Sequence, residues 1–206
     1  MKGINYIQFL WKSTNEHGVH SPFVYNFITK CFYSTRPVMA EHDNPALSKR
    51  QLALAYRLLN CRKPTKLFVL GENAANLTET LRVAGESLNM RLWFCSTLAR
   101  VPGGIDMAYI SNADKGNVLN LFDQMLPDIH NDTLCVIANI HSSREMQEAW
   151  QALQNHPKVI VTIDTYHTGL IFFRREQAKQ HFTVRLSQSV LLDAVLGVRN
   201  LYGLIG

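Results

Sequence analysis

Three apolar runs in this chain end in polar residues that could do chemistry. Gly71, Glu72 and Asn73 follow residues 67–70, Ser111 and Asn112 follow residues 105–110, and Asn139 and His141 close residues 133–140. Runs of this length, rich in β-branched and aromatic residues, read as buried strands. In parallel sheets, side chains from separate loops converge at the strand C-termini. His141 is the residue there suited to acid–base work, because an unperturbed imidazole titrates near neutrality. The competing reading is that His141 only helps Ser142 cap the next helix, since Ser142 with Glu145 has the spacing of a capping box. After Gly71, Asn76 with Glu79 is a second capping pair, and Leu77, Leu81, Ala84 and Leu88 recur at helical spacing. A strand, a tight turn and a helix N-terminus together gather backbone N–H groups where nucleotide-like cofactors bind. The later glycine slots of a dinucleotide fingerprint hold Asn73 and Asn76, so an ordinary turn and a cofactor loop both remain open.

No metal site is predicted. His17 and His20 lie three apart across a glycine, which is not helix-face ligand spacing, and no Cys or carboxylate pattern joins them. Ser21 followed by Pro22 instead reads as a cap and first turn for a helix bearing Val24, Phe27, Ile28 and Cys31.

The elements that would position these residues alternate. An N-terminal helix stopping near Asn15, the Pro22 helix, a polar linker over 33–44 and a helix carrying Leu52, Ala55, Tyr56 and Leu59 precede the first strand. Residues 91–95 read as a second strand, and only about ten residues separate it from the third. A helix carrying Val118, Phe122 and Met125, the 133–140 strand and a helix carrying Met146, Ala149, Trp150 and Leu153 follow. Residues 159–163 and 169–173 then form a hairpin, with a further short strand over 181–186. The pattern predicts a doubly wound, mostly parallel α/β sheet with 67–70 at its centre and the antiparallel hairpin at one edge. It divides the chain into a helical segment (1–44), the α/β domain (45–186) and a helical tail (187–206).

At 206 residues with a formal charge of +5, the chain fits one main domain, and its scattered basic residues do not point to nucleic acid. Cys31, Cys61, Cys95 and Cys135 show no close pairing, and with no signal-peptide progression or membrane-length apolar run this reads as a reducing, cytoplasmic setting.

HGVHSPFVYNFITK (residues 17–30) and residues 143–185 resemble a small methyltransferase-like family found in Bacteroidetes, and the element order resembles the class I S-adenosylmethionine-dependent methyltransferase fold. The resemblance implies S-adenosylmethionine as cofactor. Its glycine-rich loop falls at 71–76, its acidic pattern after the third strand at Ser111, Asn112, Ala113 and Asp114, and its Asp-Asp-Ile-His pattern at Ala138, Asn139, Ile140 and His141. One glycine and few of the carboxylates are present. The second strand is followed by Ser96 and Thr97 where the family has an acidic residue for the ribose, and the helix–strand–helix that walls adenine has no counterpart.

The expectation is therefore a methyltransferase-family protein with a degenerate cofactor site that binds S-adenosylmethionine weakly or not at all. Its candidate cofactor residues are Gly71, Glu72, Asn73, Ser111, Asn112 and Asn139, with His141 as the catalytic candidate. The alternative is a non-catalytic interaction or small-molecule-binding protein on that fold. Val190, Leu191, Ala194, Val195, Val198, Leu201 and Tyr202 give the tail an apolar helical face, which predicts a cover for the sheet or a homodimer contact.

Overall fold

A computed structural model describes residues 6–15, 18–33, 47–111 and 115–186. The 33–44 linker, apart from Tyr33, and the tail from 187 lie outside the described residues, as do His17 and Asn112.

The chain opens with α1 (Tyr6–Lys12) and α2 (Pro22–Cys31), the latter capped by Ser21 with proline in its first turn, as the sequence predicts. Helix α3 (Lys49–Arg62) begins with a capping box the sequence reading overlooks: Ser48 accepts from the Gln51 amide while the Gln51 side chain accepts from the Ser48 amide. Then come β1 (Lys66–Gly71), α4 (Ala74–Ser87), β2 (Trp93–Phe94), β3 (Ile105–Ser111), α5 (Lys115–Met125), β4 (Ile129–Ala138), α6 (Arg144–Asn155), β5 (Val161–Asp164), β6 (Thr168–Phe172) and β7 (Gln180–Thr183).

Seven strands form one sheet in the order β2-β1-β3-β4-β6-β5-β7. Only the pairings of β6, with β4 and β5, are antiparallel, so the other six strands share a direction and a C-terminal edge. Period-two alternation drives the layering. Leu67, Met107, Tyr109, Leu134 and Val136 pack with residues of α2, α3 and α4, whereas Phe68, Ala108, Ile110, Cys135 and Ile137 pack with α5 and α6. Helices thus cover both faces, giving the doubly wound, Rossmann-like α/β architecture expected.

Two placements differ from the expectation. Strand β1 is second from one edge rather than central, because the ten residues from Cys95 to Gly104 return straight to β3 and no strand lies beyond β2 among the described residues. The hairpin is internal rather than at the edge. Strand β7 pairs in parallel with β5, and Thr14 bridges to Val184 just past it, so the exposed amides of β5 find partners.

Cys31 and Cys61 form a disulfide between α2 and α3, with Cα atoms 5.4 Å apart and a sequence separation of 30. The expectation of a reducing compartment rests on unpaired cysteines, and this bridge removes that support. Closing a loop of this length restricts the unfolded chain by about 3 kcal/mol. Cys31→Ser and Cys61→Ser are each expected to lower unfolding free energy by roughly that amount, and reductant should do the same to the wild type. Denaturant unfolding with and without dithiothreitol checks this, and coincident curves would refute it. Among the described residues no helix is long and apolar enough to cross a membrane, and no group of three His, Cys, Asp or Glu could hold a metal ion.

Candidate functional site

The candidate residues lie along the C-terminal edge of the sheet in two groups. In the first, Gly71 ends β1 opposite Ser111, its register partner at the end of β3. Gly71 has φ +96°, and a Cβ there would overlap the Ser111 carbonyl oxygen, so the glycine is required by the chain's own backbone. The Ser111 hydroxyl donates to the Glu72 carbonyl at 2.6 Å. Asn73 takes the left-handed conformation at φ 56° as the N-cap of α4, which therefore starts at Ala74 rather than at Asn76. Glu79 pairs with Arg82 instead of closing a box with Asn76. The turn is short because Gly71 presses against β3, and asparagine tolerates the left-handed geometry that results.

The second group gathers where β4 and β5 end. Asn139, also left-handed at φ 57°, donates its amide to the His167 carbonyl at 2.6 Å, and its Oδ1 accepts from Gln51 Nε2 at 2.8 Å. Gln51 Nε2 also reaches the His167 carbonyl at 3.1 Å. The α3 capping box thus fixes a glutamine that ties the helix to both turns. Helix α6 is capped by Ser143, whose hydroxyl accepts from the Met146 amide at 3.1 Å, not by Ser142, whose amide donates to the Asn139 carbonyl.

His141 consequently plays no part in a Ser142 cap. Its Nε2 lies 2.6 Å from Asp164 Oδ2, with side chains only 4% and 11% exposed. Asp164 Oδ1 accepts from the Tyr166 amide at 2.8 Å, and the Tyr166 ring stacks on the imidazole at 5.4 Å between centroids. His141 Nδ1 is buried without a hydrogen-bond partner. The carboxylate thus orients one ring nitrogen, while the other is enclosed by the surrounding side chains. Burial holds the neighbouring His167 below the ordinary histidine value, and the charges of Arg50 and His141 add to that.

Sequence reasoning places His141 and Asn139 here and misses Gln51 and Asp164. The Ser48–Gln51 spacing and the aspartate closing an apolar strand were the available signals.

No family model matches this chain, and no curated protein does. Among solved structures it is similar to a cofactor-bound protein from MTB, at 14% identity over 76% of this chain and 98% of that one, TM-score 0.46. A methyltransferase from Geobacter sulfurreducens is similar at 14% identity over 75% and 97%, TM-score 0.45. An SAH-bound methyltransferase from Podospora anserina is similar at 10% identity over 76% and 97%, TM-score 0.42.

Proposed function

We propose that this is a methyltransferase-like protein with a degenerate S-adenosylmethionine site. The observation that carries this is the edge position of β2: Cys95 to Gly104 lead straight back to β3, and among the described residues no strand or helix lies beyond β2 to wall an adenine. Two local contacts support this reading. Gly71 is committed to its contact with Ser111, and the Glu72 carbonyl is taken by the Ser111 hydroxyl.

Each ribose hydroxyl or adenine edge left unmatched forfeits roughly 1–3 kcal/mol, so several lost contacts weaken binding by orders of magnitude. Titration calorimetry with S-adenosylmethionine and S-adenosylhomocysteine should give no saturable heat below about 1 mM ligand. A low-micromolar dissociation constant for either would overturn the proposal.

A further inference from the structure

A cavity of about 240 Å³ lies among α1, the N-terminal half of α3, the β5–β6 turn and the chain leaving β7. Three arginines, Arg50, Arg57 and Arg185, line it together with His167, and no described carboxylate does. Tyr6 and Phe9 of α1 supply aromatic surface, their rings stacked at 6.0 Å between centroids.

The cations are unevenly satisfied. Arg185 is only 4% exposed and is held in place, its Nη1 donating to the Ser13 carbonyl at 3.1 Å. Arg57 Nη1 donates to the Phe32 carbonyl at 2.7 Å, but its Nε–H is buried with no acceptor. Buried donors almost always have a partner, and one on a charged group is the more costly to leave unmade. Arg50 is exposed at the start of α3, near enough to His167 for its charge to hold that imidazole further below its ordinary value, after burial itself. These cationic side chains share one cavity whose described lining holds no carboxylate, and an anion would supply the opposite charge.

We propose that this cavity binds a small organic anion, a carboxylate or phosphate monoester carried on a flat apolar body. The guanidinium groups match the planar, multi-oxygen geometry of both anions. The aromatic pair matches the body. The volume is below that of a drug-sized pocket, which matches an occupant whose buried part is about one ring. The inference holds whether or not S-adenosylmethionine binds, because no residue of the Gly71–Ser111 turn lines the cavity.

The test is calorimetry on the full chain with benzoate, phenyl phosphate and the neutral control benzyl alcohol. At least one anion should saturate below about 1 mM, bind at least roughly tenfold tighter than the alcohol, and weaken as salt rises. The anion that binds more tightly identifies the headgroup the site prefers. Arg50→Gln and Arg57→Gln should each weaken that binding roughly tenfold. Arg57→Gln also removes the bond to Phe32, so its melting curve is compared with wild type, and the exposed Arg50→Gln carries the test alone if Arg57→Gln unfolds. Saturation by neither anion, equal binding of benzyl alcohol, or an Arg50→Gln variant that binds as the wild type does would each overturn the proposal.

Discussion

Gly71→Ala is expected to cost about 2–5 kcal/mol of unfolding free energy, a large share of the stability of a domain this size. Two penalties combine. The residue sits at φ +96°, where an L side chain is strained by about 1–2 kcal/mol. The new methyl would overlap the Ser111 carbonyl oxygen and lie 3.2 Å from its carbon and 3.3 Å from its nitrogen. Those atoms are backbone at the last rung of the β1–β3 ladder, where Gly71 and Ser111 are register partners, so relief requires parting the two strand ends. Overpacking of this kind adds about 1–3 kcal/mol. Gly103→Ala is the control. It has a similar φ of +77°, but the nearest atom to its Cβ is the flexible end of Lys66 at 3.5 Å, so only the conformational penalty applies. Chemical denaturation of both variants separates the terms; a Gly71→Ala variant no less stable than Gly103→Ala would refute the role given to the contact.

This glycine also shows what the sequence could reveal. Residues 67–70 identify β1 because a short β-branched and aromatic run ending in glycine has few other uses, and the structure sends Leu67 and Phe68 to opposite helix layers. Alternation of strands and helices suffices for the architecture. Strand order is less accessible, since it depends on which neighbour each edge finds: β6 pairs with β4, and β7 closes the edge of β5. The turn after Gly71 misleads because the Asn76–Glu79 spacing is a sound local signal, overruled by a close approach between residues 40 apart in sequence. Long-range pairs fare the same way. Cys31 and Cys61 are unremarkable until α2 lies against α3, and Asp164 is an ordinary strand-ending aspartate until β4 and β5 finish on the same side. The sequence indicates His141 as a histidine at a strand end, but not the carboxylate that orients it.

The pairing of His141 with Asp164 leads to the second large effect. Asp164→Ala should cost about 3–5 kcal/mol, because it strips a buried imidazole of its only hydrogen-bond partner and leaves the Tyr166 amide without its acceptor. Asp164→Asn keeps the shape and is the more informative variant. Its carboxamide oxygen can still accept from Tyr166, but its nitrogen can only donate toward His141 Nε2. A neutral ring must then carry its proton on Nδ1, the atom that is buried without a partner. The loss should be smaller, about 1–3 kcal/mol, and should come with a change of tautomer. Nitrogen-15 chemical shifts of the His141 ring report that change: the proton belongs on Nε2 in the wild type and on Nδ1 in Asp164→Asn. A melting curve alone would follow from any buried polar contact, whereas the tautomer follows only if the carboxylate sets the ring. Unchanged ring shifts in a folded Asp164→Asn variant would remove Asp164 as the residue that positions the His141 ring.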